Sequence, residues 1–117
     1  MKIVTKVWGE EHWIVNRDYC VKLLILKKGF MCRMHHHKNK DETFYIQEGR
    51  VLMQLEDEER VMIPGEAILI RPNTKHRFSG LEDSVIIEIS THHEDSDSYR
   101  VPGELSGDVP IEKMEEY

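Results

Sequence analysis

The apolar residues of this chain fall in short runs broken by glycine, proline and acidic turns. Val21 to Leu26 is one such run, closed by Lys27-Lys28-Gly29. Thr43 to Ile46 leads into the turn Gln47-Glu48-Gly49, and Val51 to Leu55 follows. The acidic turn Glu56-Asp57-Glu58-Glu59 precedes a further run, Arg60 to Ile63, which Pro64-Gly65 breaks. Ala67 to Ile70 resumes and stops at Pro72-Asn73, and Val85 to Ile89 is the last run. Short strands recurring about every eight to twelve residues, with turn residues between them, predict an all-β sandwich or barrel. No segment carries a helical period over a useful length. From Val101 the pattern changes: Pro102-Gly103, Ser106-Gly107 and Pro110 punctuate it. Residues 1–100 are therefore read as one barrel domain. Residues 101–117 are read as an extended C-terminal arm with one terminal helical turn, packed on a neighbouring subunit or frayed.

Within this frame, residues 29–49 concentrate the chemistry. The segment holds His35, His36, His37 and Glu42, with Gly29 and Gly49 at its ends. Alternate residues of a strand share a face. His35 and His37 therefore point one way, joined by Arg33, while His36 points the other. Lys38 to Asp41 make a turn, and Glu42 opens the returning strand, with Phe44 and Ile46 lining the same face. Two imidazoles and a carboxylate on one face form a metal site. A fourth ligand has to come from elsewhere, and His76 is the natural candidate, because it follows the turn Pro72-Asn73-Thr74-Lys75 and starts a strand. Three imidazoles and one carboxylate suit a single divalent transition metal: Mn, Fe, Ni, Co or Zn.

This spacing resembles the cupin family. The first cupin motif is met at Gly29, His35, His37, Glu42 and Gly49, and the second at Gly65 to His76. Arg71 stands where the family has Pro, and Asn73 where it has Gly; Asn tolerates a left-handed backbone better than most residues. Gly80 stands where the family has Asn. The resemblance implies a small jelly-roll barrel holding one metal on His35, His37, Glu42 and His76. The order of features along the chain is similar to the sugar-phosphate-isomerase branch of cupins. These features are Trp8-Gly9 near the start, Lys22 before the first motif and Ile87-Glu88-Ile89 after the second. They resemble the type II mannose-6-phosphate isomerase domain. The ending Asp97-Ser98-Tyr99-Arg100 resembles the cupin domains attached to sialic acid synthases.

That branch implies aldose–ketose isomerisation, in which a carboxylate shuttles a proton between neighbouring carbons. Glu88 is the spare carboxylate, because it interrupts an apolar strand. It faces the pocket if Ile87 and Ile89 face an outer packing layer, and it is exposed otherwise. Arg33 is a candidate anchor for an anionic substrate group, its alternative being a structural ion pair. Lys22 is a second candidate, either a pocket cation or a snorkelling edge residue. Lys75 and Arg77 read as rim charges and Tyr45 as packing. Trp8 and Trp13 read as core or dimer-contact residues, and His12, His92 and His93 as surface or interface residues.

Three functions follow: a metal-dependent sugar or sugar-phosphate isomerase or epimerase, a non-haem iron dioxygenase, or a sugar-binding module without turnover. The expected partner is a small carbohydrate or sugar phosphate. A net charge of -6 with no extended basic track argues against nucleic acid. No apolar run reaches membrane-spanning length, and no signal-like apolar segment follows Met1. Cys20 and Cys32 lie outside any CxxC pattern and read as free thiols of a cytoplasmic protein. The edge strands of a small jelly roll and the Trp-rich N-terminal segment suggest a homodimer.

Overall fold

The computed structural model describes the backbone of residues 1–117 and every side chain except those of Ile111 and Glu112. In chain order the strands are β1 (Lys2–Lys6), β2 (Gly9–Asn16), β3 (Tyr19–Leu26), β4 (Phe30–Met31), β5 (His35–His37), β6 (Glu42–Glu48) and β7 (Val51–Leu55). They continue as β8 (Glu59–Met62), β9 (Ala67–Ile70), β10 (His76–Gly80), β11 (Ser84–Thr91), β12 (Ser98–Arg100) and β13 (Gly107–Asp108). A short helix, α1 (Ile111–Glu116), ends the chain. One sheet has the order β1-β2-β3-β11-β6-β9. The other runs β12-β5-β10-β4-β13, with β7 also on β10 and β8 on β7. Two antiparallel sheets facing each other form the expected jelly roll.

The turns follow from local chemistry. Asn73 takes φ 67, the left-handed conformation that the family's glycine would supply. Gly80 has a steric reason of its own: a Cβ there would lie 2.6 Å from the Lys27 carbonyl oxygen. A side chain at this position would push β10 away from the turn after β3.

Inward-facing residues of the six-stranded sheet are layered by polarity. The register places Leu24, Ile86 and Ile46 in one layer, and Lys22, Glu88 and Phe44 in the next. Cys20, Ser90 and Glu42 form the layer beyond. Val51, Met53, Met62 and Phe78 meet the apolar layers from the second sheet. Burying each such side chain contributes roughly 1.5–3 kcal/mol. Trp8 belongs to this core, edge-on to Phe78 with ring centroids 5.1 Å apart. The barrel is therefore apolar at one end and polar at the other, and the polar end carries the candidate site.

Residues 101–117 pack back on their own barrel. β13 pairs with β4, Val109 is buried, and Glu104 bonds Arg77 at 2.9 Å. Tyr45 does not pack; it stands partly exposed on the outer face of the sheet. Cys20 and Cys32 are buried free thiols, and burial pushes the Cys32 thiol up to about 12. No described helix is long and apolar enough to cross a membrane.

Candidate metal centre and pocket

Two strands deliver the histidines. β5 presents His35 and His37, and β10, its antiparallel neighbour, places His76 opposite His35. The candidate ligand nitrogens of these three lie within 4.8 Å of one another. Each Nδ1 faces a backbone carbonyl: Arg33 for His35 at 2.7 Å, Asp97 for His37 at 3.1 Å and Thr74 for His76 at 2.8 Å. These contacts assign the proton to Nδ1 and leave each Nε2 with a lone pair, the second-layer arrangement that orients metal-binding imidazoles. Burial pushes His35 down to about 3, helped by the neighbouring His76. Burial and the Lys40 charge push His37 down to about 2. Both imidazoles are thus neutral at neutral pH, the form that binds a metal.

Glu42, at the start of β6, brings its carboxylate to the same place. Its Oε2 lies 3.3 Å from Nε2 of His37 and 3.3 Å from Nε2 of His76. With the ring protons on Nδ1, these contacts set lone pairs against a carboxylate oxygen. Glu42 Oε2 and His76 Nε2 are buried without a hydrogen-bond partner. Orphaned buried acceptors are costly, and a cation among them satisfies all of them at once. The donor set thus fits a divalent metal. His36 takes no part: it stacks on Tyr99, centroids 5.3 Å apart, on the other side of β5.

A cavity of about 410 Å³ opens over this group. His35, His37, Glu42, Arg33, Lys22 and Glu88 all line it. Glu88 is buried, facing inward, while Ile89 beside it is exposed on the outer face rather than packed under another layer. Burial raises the Glu88 carboxyl, but the Lys40 and Lys22 charges outweigh it and hold the group below its ordinary range. Lys22 is fully buried yet already engaged. Its ammonium sits 4.1 Å over the Trp13 ring and 3.7 Å from Glu11, whose carboxylate also accepts from the Trp13 indole at 2.9 Å. Arg33 lines the pocket with no ion pair among the described residues. Arg77 pairs with Glu104 and lies outside this cavity.

Three polar residues of the site were not read as site residues from the sequence. Lys40 belongs to the segment read as a turn, but it is buried. Its ammonium donates to Glu88 Oε2 and to His93 Nδ1, each at 3.0 Å, and lies 3.6 Å from Glu42. Burial lowers Lys40, but Glu88 and Glu42 outweigh it and hold it above its ordinary value. His93, expected as a surface or interface residue, is buried against this cluster and bonds Asp95 at 2.9 Å. Asp97 is the third. Its carboxylate accepts the backbone N–H groups of Lys38, Asn39 and Lys40 at 2.9 to 3.1 Å, and its carbonyl holds His37. The signal for Asp97 was the Asp97-Ser98-Tyr99-Arg100 ending; nothing local marked Lys40.

Comparison with known proteins places this geometry. The cupin domain family matches residues 22–91. The chain belongs to the cupin family. It is 33% identical to the D-lyxose/D-mannose isomerase of Thermosediminibacter oceani, over 75% of this chain and 65% of that protein. The chain spans between 46% and 65% of the length of the curated relatives it matches. Among solved structures, KdgF from Halomonas sp. aligns with a TM-score of 0.70 at 25% identity, covering 74% of this cupin and 81% of that chain. The nucleoside dehydratase Pac13 of Streptomyces aligns with a TM-score of 0.74 at 16% identity, covering 86% and 83%, which speaks for the shared fold alone.

Proposed function

We propose that this cupin is a metal-dependent sugar isomerase. The metal is one divalent transition ion, and His35, His37, Glu42 and His76 hold it. The observation that carries the reading is the cluster of three lone-pair imidazoles with the Glu42 carboxylate, together with a separate ionised carboxylate, Glu88, that lines the same cavity as His35, His37 and Glu42. The similarity to a D-lyxose/D-mannose isomerase supports the same class of substrate.

When bound, the ion polarises the carbonyl and hydroxyl oxygens of the sugar and stabilises developing negative charge. The protein's own groups carry the proton. Among the described residues, the hydrogen bonds to the Glu88 carboxylate fall on Oε2, from Lys40 and Ser90, which leaves Oε1 to act as base. Oε1 takes the proton from carbon two of an aldose and returns it to carbon one, while the hydroxyl proton on oxygen two passes to oxygen one. No atom is gained or lost. Lys40 keeps Glu88 ionised before the transfer and donates to it throughout. Arg33 receives an anionic group where the substrate carries one, since its guanidinium suits phosphate or carboxylate oxygens. Lys22 keeps a different role from that expected: held by Glu11 and Trp13, it adds positive charge behind Glu88 rather than gripping the substrate.

Elemental analysis of purified His76→Ala tests the ligand set. Loss of the metal that the parent protein retains is the expected result, and full metal content in the variant would overturn it. Sugar binding by the metal-loaded protein without turnover would reassign the chain to a binding module.

A further inference from the structure

Residues 93–97 grip Lys40 at both ends. Asp97 accepts its backbone N–H at 3.0 Å, and His93 Nδ1 accepts an N–H of its ammonium at the same distance. An ammonium carries three donors and no acceptor. One of the three goes to Glu88 Oε2 at 3.0 Å, one goes to His93, and the third faces Glu42 Oε1 at 3.6 Å. Because Lys40 can only donate, Nδ1 of His93 holds the lone pair and the ring proton sits on Nε2. That proton is donated to Asp95 Oδ1 at 2.9 Å. The two partners therefore select one tautomer, opposite to that of His35, His37 and His76, whose Nδ1 atoms face carbonyls. The ring has little freedom. The Asn16 amide donates to the His93 carbonyl at 3.0 Å, and its oxygen accepts the His93 N–H at 2.9 Å. Trp13 stands edge-on to the ring, centroids 5.1 Å apart. Asp95, on the single helical turn Asp95–Asp97, fixes the plane of the imidazole.

We infer that His93 and Asp95 are positioning residues for proton transfer: they hold the Lys40 ammonium in place, and through it they aim Glu88. The inference rests on the reading of Glu88 as the base. With Oε2 tied to Lys40, the direction of the free oxygen, Oε1, follows from where the ammonium sits. Displacing a reacting group by about 1 Å can cost about a hundredfold in rate. Without the acceptor on His93, the ammonium lies between two carboxylates with no third contact to fix its distance from either. The Lys40–Glu88 charge pair survives that loss, so Glu88 stays ionised and only its aim changes. Asp95 is exposed, and an ion pair with an exposed member contributes little to stability. Its effect is to set the tautomer and plane of a buried ring.

Three variants and one spectrum test this. His93→Leu removes the acceptor and keeps most of the volume; kcat for sugar isomerisation should fall about tenfold or more, with KM and metal content unchanged. His93→Asn puts an amide oxygen where Nδ1 stood and should recover most of that loss, although it is the smaller side chain. Asp95→Ala frees the ring and should lower kcat by a smaller factor, again without moving KM. Circular dichroism follows folding, and if His93→Leu unfolds, the other two variants carry the comparison with the parent. Long-range nitrogen–proton NMR of the zinc-loaded parent, without sugar, should show His93 protonated on Nε2. A parent that turns over no sugar defeats the isomerase reading but not the grip on Lys40, which this spectrum decides by itself. His93 protonated on Nδ1 overturns the inference. So does a parent-like kcat in His93→Leu or Asp95→Ala, or His93→Asn as slow as His93→Leu.

Discussion

Replacing Lys40 with Met probes the buried charge cluster directly. Met keeps most of the side-chain volume and removes only the charge and the donors. Glu88 then loses its 3.0 Å partner and Glu42 its neighbour at 3.6 Å, both inside the barrel. Breaking a buried pair from one side costs about 3–5 kcal/mol. The Lys22 charge, which also acts on Glu88, softens the loss, so the lower end applies, about 3 kcal/mol. With an unfolding entropy of about 2.1 cal/mol/K per residue, a chain of this length has roughly 0.25 kcal/mol/K, and the melting temperature falls by about 12 °C. The measurement is thermal unfolding followed by circular dichroism with chelator present, so that metal binding does not enter. The double variant Lys40→Met/Glu88→Gln removes the stranded charge along with its partner and should recover most of the loss. A single-variant cost under about 1 kcal/mol, the level of a surface pair, would refute the reasoning. So would a double variant as unstable as the sum of its parts.

Further outcomes are expected. Glu88→Gln retains the metal and lowers turnover by about 10²–10⁴-fold, the usual worth of a positioned acid–base group; elemental analysis and a ketose-forming assay read the two effects separately. Burial raises the Asp97 carboxyl, but the N–H groups of Lys38, Lys40 and Asn39 outweigh it and hold the group below its ordinary value. Asp97 therefore stabilises the fold fully above its unfolded value near about 3.9 and loses that contribution as pH falls through its folded value. Asp97→Asn should flatten that part of an acid-unfolding curve, and an unchanged curve would count against the grip on residues 38–40. Arg33→Met should raise KM for sugar phosphates or sugar acids about tenfold or more while leaving neutral sugars unaffected; equal effects on both would remove its anionic role.

Strand parity and motif spacing carried most of the fold and the centre of the site. His35, His37 and Glu42 were legible because a two-residue period and a short turn place them locally; His76, paired with His35 from a distant strand, was reached through the spacing of the second motif. Glu88 was legible for the same reason, as a charge at an inward position of an apolar strand. The hairpin β1–β2 was not: its residues alternate weakly, and its burial comes from β3, which no local pattern reveals. Lys40 and His93 escaped because each is buried by residues about fifty positions away in sequence. A lysine in a polar turn looks solvated until the fold sets two carboxylates around it. Lys22 shows the converse. Its inward direction was readable, but its engagement with Glu11 and Trp13 depends on how β2 pairs with β3.

The most direct test of the isomerase reading is solvent deuterium exchange into a panel of pentoses, hexoses and their phosphates, with the cupin metal-loaded or chelator-treated. The account predicts deuterium at carbon two of at least one sugar, dependent on the metal and lost in Glu88→Gln. Exchange that survives chelation, or its absence across the panel with metal fully bound, would contradict it.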